Sequence, residues 1–210
     1  MEDLTAAAGA KETRFDAGMW FLVWLAAFVL IGELVFRAHR WLAAEHAKLY
    51  WPFDSTIALC LVLMARYLWR PDVLERARWK LPFRAALLSC AAGVLLPLFH
   101  LTVASLRQDW PVEVRQFPTT ALVPVILTGP VLEEMLFRGV FQESLQRWFK
   151  HWIVIVVVAL VAAVGHGPGF FWHHLLSQLV FGVTYSISGR SLPCTIMVHG
   201  ISNGILYFFL

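Results

Sequence analysis

Long apolar runs separated by short polar breaks recur along most of this 210-residue chain. Inside a bilayer each backbone N–H and C=O must be bonded within its own segment, so runs long enough to cross the hydrocarbon core predict helices. The chain is 59% hydrophobic and 15% charged, and its mean hydropathy of +0.66 lies outside the range of soluble domains. We expect an all-α, polytopic transmembrane helical bundle with about seven spans, forming one integral membrane domain over residues 1–210. The expected spans are residues 19–36, 54–69, 83–106, 122–141, 152–165, 170–188 and 192–210.

The polar segments between these runs indicate an orientation and exclude some classes of partner. Residues 1–17 form a polar N-terminal segment, and no small-residue cleavage site follows the first apolar run, which indicates an uncleaved anchor. Basic residues concentrate in residues 70–84, and the positive-inside rule places this loop and the N-terminus in the cytoplasm. The net charge of +3 comes from such loops and not from a basic patch interleaved with aromatic residues. The expected partner is therefore the lipid bilayer and not a nucleic acid.

Two adjacent carboxylates and a guanidinium, those of Glu133, Glu134 and Arg138, interrupt the apolar run 122–141. Charge is costly in hydrocarbon and usually marks function or a tightly paired cluster. Glu134 and Arg138, at i and i+4, share a helix face and can pair, whereas Glu133 points about 100° away. Pro130 frees a carbonyl and bends the helix just upstream, which can open a wet cavity. One carboxylate is then available for chemistry; the alternative is a buried ion-pair cluster that only fixes helix packing.

Further polar groups lie on the later helices. The midpoint between Glu133 and His166 falls in the polar turn at residues 149–150, so an antiparallel hairpin places the two at equal depth. Such a pair suits activation of a water by the glutamate while the histidine orients it. His199 and Asn203, at i and i+4, project from one face of the last helix, where two N–H groups can stabilise an oxyanion. Singly, each is more often a polar packing residue; together these groups favour a hydrolytic site.

The motifs on the late helices resemble those of the CAAX-protease and bacteriocin-processing family (CPBP, or ABI) of glutamic-type intramembrane endopeptidases, which includes the type II CAAX prenyl endopeptidases. The resemblance covers residues 120–205, the expected catalytic helices. The matching motifs are Glu133-Glu134-x-x-x-Arg138, His166 and His199-x-x-x-Asn203. The resemblance implies that Glu133 and His166 activate the water and that His199 and Asn203 form the oxyanion site. It further implies that Glu134 and Arg138 support them.

One position departs from the pattern of this family. Its members usually carry Phe four residues before the second-motif histidine, and here that position is Ala162. The frame Phe170-x-x-x-His174 restores the Phe but moves the histidine beyond a Gly-Pro-Gly break. The hairpin depth favours His166. The missing Phe alters the expected pocket wall and leaves the substrate preference open.

The resemblance implies a metal-free intramembrane endopeptidase that acts on a membrane-associated protein or peptide in the bacterial inner membrane. A zinc-dependent, metalloendopeptidase-like mechanism is the alternative. Its possible ligands are Glu133, His166, His173, His174 and His199, although the sequence contains no His-Glu-x-x-His pattern. Two rival classes are a non-catalytic bacteriocin-immunity or partner-binding protein and a small proton-coupled transporter. The identity of the substrate, its prenylation, the membrane face to which the site opens and the oligomeric state are left open.

Overall fold

The computed structural model describes residues 77–106, 122–166 and 171–209, together with scattered positions between 19 and 34. Over these residues the chain forms helices joined by turns, and they contain no β-strand. The all-α prediction is therefore confirmed for the described part of the chain. The described positions between 19 and 34 are helical and fall in the first predicted span. The second predicted span, residues 54–69, and the polar segment 1–17 lie outside the described residues.

From residue 77 onward, the described bundle consists of four uninterrupted α-helices and one composite helix, α2, which covers residues 124–146. The uninterrupted helices are α1 (Phe83–Leu106), α3 (His151–Gly165), α4 (Phe171–Ile187) and α5 (Leu192–Phe209). Their bounds agree closely with the apolar runs of the sequence. By length and composition, α1 is the one described helix long and apolar enough to cross a membrane, while α3 and α5 are shorter apolar helices. The count of about seven membrane spans is therefore not confirmed.

Helix α2, which carries the two glutamates, alternates between two helical geometries. It is a π-helix over Pro124–Thr128, an α-helix over Gly129–Glu134, a π-helix over Met135–Gln142 and an α-helix over Glu143–Gln146. Pro130 lies at the start of the first α segment, directly after a π segment, and supplies no N–H to the preceding helical turn. In a π-helix each N–H bonds the carbonyl five residues earlier, and such stretches are frequent at functional sites. The irregularity expected at Pro130 thus takes the form of a change in helical geometry.

The helices pack in pairs around α2. Helix α1 packs mainly on α5 and α3 on α4, while α2 contacts α3, α4 and α5. Phe137, Phe141 and Val158 belong to the buried apolar core that α2 shares with α3. The close approach of α1 to α5 requires glycine at position 93, because a Cβ there would lie 2.9 Å from the Cβ of Ile201.

Large apolar side chains also cover the outer surface of the bundle. Phe83, Leu95 and Trp172 are 76%, 64% and 71% exposed, respectively. Such a surface is a liability in water, whereas lipid chains cover it at no cost in hydrogen bonds. The outer surface therefore suits a helical protein embedded in a bilayer.

Three polar segments meet at one end of the bundle. Residues 77–80 dock on the turn that follows α4: the Arg78 N–H donates to the Arg190 carbonyl at 2.8 Å, and the Leu192 N–H donates to the Arg78 carbonyl at 3.0 Å. The Arg190 guanidinium in turn donates to Glu143 of α2 at 3.2 Å. The segment before α1, the end of α2 and the α4–α5 turn therefore lie on the same side of the bundle.

Candidate active site

The two glutamates of α2 have different surroundings. Glu134 is fully buried, and its Oε2 accepts a hydrogen bond of 3.1 Å from Nε of Arg138, one turn later. The ion pair predicted from the i, i+4 spacing is therefore present. The side chain of Glu133 is 22% exposed and faces His199 of α5. One carboxylate is thus neutralised in the interior, while its neighbour borders accessible space.

His199 connects both glutamates across the interface between α2 and α5. Its Nδ1 lies 3.0 Å from Oε1 of Glu134, within hydrogen-bond distance. Its Nε2 lies 3.9 Å from Oε2 of Glu133, too far for a direct hydrogen bond. The ring of Phe181 on α4 stacks on the imidazole, with 4.6 Å between centroids and 23° between planes. One ring nitrogen is therefore anchored, and the other faces the partly exposed glutamate.

The guanidinium of Arg138 is fully buried and held from several directions. Its Nη1 donates to Oε1 of Gln142 at 3.1 Å. Its Nη2 donates to the backbone carbonyl of Gln178 on α4 at 3.2 Å and also to the side-chain oxygen of that residue. A Cβ at Gly182, one turn further along α4, would lie 3.1 Å from Nη1. Because a buried guanidinium is tolerated only when its N–H groups are paired, Arg138 and its partners form a fixed support for Glu134.

Sequence reasoning missed two residues of this site, Gln142 and Gln178. Gln142 follows Arg138 by four residues, so the spacing rule that paired Arg138 with Glu134 could have found it. Gln178 reaches the site from another helix, and no local pattern in α4 marks it. Phe181 lies in a stretch of α4 that also resembles the family, but the resemblance did not assign it to the site. The contact between His199 and Glu134 was also unexpected, because the sequence assigned Glu134 to Arg138 alone.

His166 lies at the C-terminal end of α3 and is exposed. Its Nδ1 lies 2.7 Å from the carbonyl of Ala162, and its ring stacks on His174 of α4 at 3.8 Å between centroids. Within the described part of the chain, His166 makes no direct hydrogen bond or ion pair with Glu133. The structure thus brings His199 to the glutamates, but it does not join His166 to them directly.

The hairpin that joins α2 to α3 turns at residues 147–150, where the sequence placed the midpoint between Glu133 and His166. Ala162, which occupies the position of the expected Phe, is fully buried in the core between α2 and α3. His166 and His174, the two histidines considered for the second motif, stack on each other and are therefore neighbours in the fold.

Asn203 follows His199 by one turn on α5 but contacts a different part of α2. Its Nδ2 donates to the carbonyl of Val125, in the first π segment, at 3.0 Å. A side-chain amide carries two N–H groups, and this bond uses one of them. The expected oxyanion donor thus also takes part in the packing of two helices.

The side chains that could bind zinc do not converge on one point where a metal ion could lie. Its five possible ligands, Glu133, His166, His173, His174 and His199, all lie in the described part of the chain. The rings of His166 and His174 pack against each other, as do those of His100 and His173, each pair 3.8 Å apart between centroids. Among the described residues, no three His, Cys, Asp or Glu side chains are arranged to hold a metal ion.

Comparison with known proteins agrees with the motifs. Residues 115–205, which contain the whole of this site, match the family model described as type II CAAX prenyl endopeptidase Rce1-like. No significant match is found among curated proteins or solved structures. The family is one of membrane-embedded proteases, so the broad assignment as a membrane protease is supported, whereas the metalloendopeptidase-like alternative is not. The segment that carries the candidate site, residues 115–205, therefore matches the Rce1-like family, and the resemblance predicted from its motifs is confirmed.

Proposed function

We propose that this protein is an intramembrane endopeptidase that hydrolyses a peptide bond in a membrane-associated protein or peptide with a glutamate-activated water. The main support for this proposal is that the two glutamates beside His199 have different surroundings. Glu134 is buried and ion-paired, so its charge is already held by Arg138. Glu133 retains 22% exposure, and its Oε2 lies 3.9 Å from Nε2 of His199, beyond hydrogen-bond distance. Glu133 can therefore both reach a water and accept its proton.

In the proposed reaction, Glu133 takes a proton from the water as the water oxygen attacks the carbonyl carbon of the scissile bond. The carbonyl electron pair moves onto its oxygen, which forms a tetrahedral oxyanion. The oxyanion then collapses and the C–N bond breaks as Glu133 returns the proton to the leaving nitrogen, so one water is consumed and one carboxylic acid and one amine are released. No metal cofactor is required for this sequence of proton transfers.

In this proposal His199 and Asn203 stabilise the transition state, and His166 orients the water. Nδ1 of His199 donates to the Glu134 carboxylate, so Nε2, which faces the space beside Glu133, carries a proton in the imidazolium form. In this proposal the ring is an imidazolium, and Nε2 donates to the developing oxyanion. The second N–H group of Asn203 is the other proposed donor. His166, exposed at the end of α3, orients the water once substrate occupies the site. Glu134 and Arg138 hold the imidazole of His199 in place and do not react.

We also propose that the protein crosses the bacterial inner membrane in seven spans with a cytoplasmic N-terminus. The apolar outer surface of the bundle and the clustering of basic residues at one of its ends support this arrangement. The bilayer and a membrane-associated substrate are then its partners.

The substrate class can be tested in liposomes that contain the purified protein. The probes are a farnesylated peptide with a CAAX-type C-terminal tail and the same peptide without the lipid. Cleavage of the farnesylated peptide alone would assign prenylated tails, and cleavage of both would assign anchored or unmodified peptides. Cleavage that persists unchanged in Glu133→Gln would contradict the proposed mechanism.

A second experiment searches for the natural substrate and separates the rival classes. Membranes from cells that express the wild type or Glu133→Gln are compared by quantitative proteomics. An uncleaved precursor is expected to accumulate in the membranes of cells that express Glu133→Gln. Proton-coupled flux through wild-type liposomes without any cleaved product would instead favour a transporter.

A further inference from the structure

Pro130 lacks the N–H that would bond the backbone carbonyl of one earlier residue of α2. An N–H at this position would bond the carbonyl of Ile126 in an α-helix, four residues earlier, or that of Val125 in a π-helix, five residues earlier. Proline has no N–H and can do neither. We refer to the Val125 and Ile126 carbonyls as the proline notch. Because an unbonded carbonyl is costly within a bilayer, the notch requires a partner from another helix.

Helix α5 supplies contacts to both carbonyls of the proline notch. The side-chain amide of Asn203 donates to the Val125 carbonyl at 3.0 Å. Gly200, three residues earlier on the same face of α5, lies against the Ile126 carbonyl so closely that a Cβ would stand 2.5 Å from that oxygen. A side chain at position 200 would therefore separate α5 from the notch, and glycine permits the contact.

The same part of α5 carries His199, which contacts the glutamates of α2. The contacts of His199 and Asn203 lie one helical turn apart on α5 and reach two successive parts of α2. Two such points determine both the rotation of α5 about its axis and its position along α2. A single contact would leave one of these free.

We propose that the proline notch is a docking point for α5, at which Asn203 acts as a positioning residue that holds His199 against the two glutamates. The docking of α5 at the notch is a structural feature and does not depend on whether the protein is a protease. The inference that this docking aligns His199 with the two glutamates for catalysis rests on the proposed function. Because the bond to the notch and the proposed oxyanion role use different N–H groups, the two roles of Asn203 can be measured separately.

A double-mutant cycle tests the docking. Asn203→Leu keeps the size of the side chain but removes the donor, and it is expected to lower the midpoint of thermal unfolding by roughly 2–4 °C or more. In the Pro130→Ala background an N–H at position 130 that bonds the Val125 carbonyl, five residues earlier as in a π-helix, replaces the donor of Asn203. The same substitution is then expected to lower the midpoint much less. Thr102→Val is the matched control, since the Thr102 hydroxyl bonds the Leu98 carbonyl of its own helix at 2.8 Å. It should behave alike in both backgrounds.

A cross-link reports the register of the two helices directly. A Cβ at position 204 would lie 3.8 Å from Cγ1 of Ile126, so cysteines introduced by Ile126→Cys and Gly204→Cys are within reach of a disulfide. In a background with the native cysteines changed to alanine, cross-linking on mild oxidation should be efficient. This cross-linking should fall with Asn203→Leu, because the bond that holds α5 at the notch is lost.

Equal losses of thermal stability from Asn203→Leu in the two backgrounds would overturn the proposal. So would cross-linking that Asn203→Leu leaves unchanged, a result that stands even where Pro130→Ala does not fold. Neither thermal unfolding nor cross-linking uses a substrate. The docking proposal can therefore be contradicted while the proposed protease activity is upheld, and the reverse is also possible.

Discussion

Glu133 and Glu134 are neighbours in the chain, yet they approach different nitrogens of one imidazole ring. The sequence was sufficient to pair Glu134 with Arg138, because residues four apart on a helix meet by local geometry. It could not predict the bond between Glu134 and His199, which lie 65 residues apart. Nor could it predict that Gln178 holds the guanidinium from α4. Contacts of this kind are decided by which helix faces pack together, and local spacing carries no information about that choice.

At this scale the two carboxylates are expected to differ in their effect on stability. Glu134→Gln leaves the fully buried Arg138 without its counter-charge, which should cost about 3–5 kcal/mol of folding free energy and lower the yield of folded protein. Glu133→Gln should cost no more than about 1 kcal/mol, because its side chain is partly exposed and lies 3.9 Å from His199. Thermal unfolding in detergent measures both. Equal destabilisation by the two changes would contradict the division of roles.

At the scale of the element, α2 departs from a regular helix where the site is built. The sequence predicted an irregularity at Pro130, because a missing N–H must break the pattern of helical hydrogen bonds. It did not predict two π segments, one on each side of Gly129–Glu134. A π segment changes the number of residues per turn and so redirects the side chains that follow. The face of α2 that meets α5 could therefore not be deduced from a regular α-helical repeat.

Two glycines on α5 provide a matched test of this interface. Gly200→Ala places a Cβ 2.5 Å from the Ile126 carbonyl, so the helices must separate, and a loss of about 1–3 kcal/mol is expected. Gly204→Ala, on the same face, places its Cβ 3.4 Å from Cδ1 of Ile126, an ordinary contact. Its gain of up to about 1 kcal/mol in helix propensity should leave stability unchanged or improved. Thermal unfolding of the two variants should rank them in this order, and a stable Gly200→Ala protein would refute the close approach.

At the scale of the whole molecule, the apolar runs predicted where the described helices begin and end. Helix α1 covers Phe83–Leu106, the same residues as the third predicted span, and α5 begins at Leu192 as expected. Such agreement follows from the polar and glycine-rich breaks, which end apolar helices locally. Helix length is less informative about the membrane, since α3 has 15 residues and α1 has 24. The number of spans therefore cannot be read from the apolar runs alone.

The orientation of the molecule can be tested with cysteines at its two ends. Lys150→Cys and Arg84→Cys lie at the basic end, which the proposed topology places in the cytoplasm, and Leu106→Cys lies at the other end of α1. In a background without native cysteines, an impermeant thiol reagent should label Leu106→Cys in spheroplasts with an intact inner membrane. The other two should be labelled only after permeabilisation. The opposite pattern would place the N-terminus outside.

Activation of the water by Glu133, the claim on which the proposed function depends, is tested by the hydrolysis rate of purified, reconstituted Glu133→Gln. The substrate is the precursor that accumulates in membranes containing this variant, and the comparison is with wild type at equal amounts of folded protein. A general base contributes about 10²–10⁴-fold, so the rate should fall by at least about 10²-fold while the thermal midpoint stays close to that of wild type. Hydrolysis at the wild-type rate by a folded Glu133→Gln protein would contradict the claim.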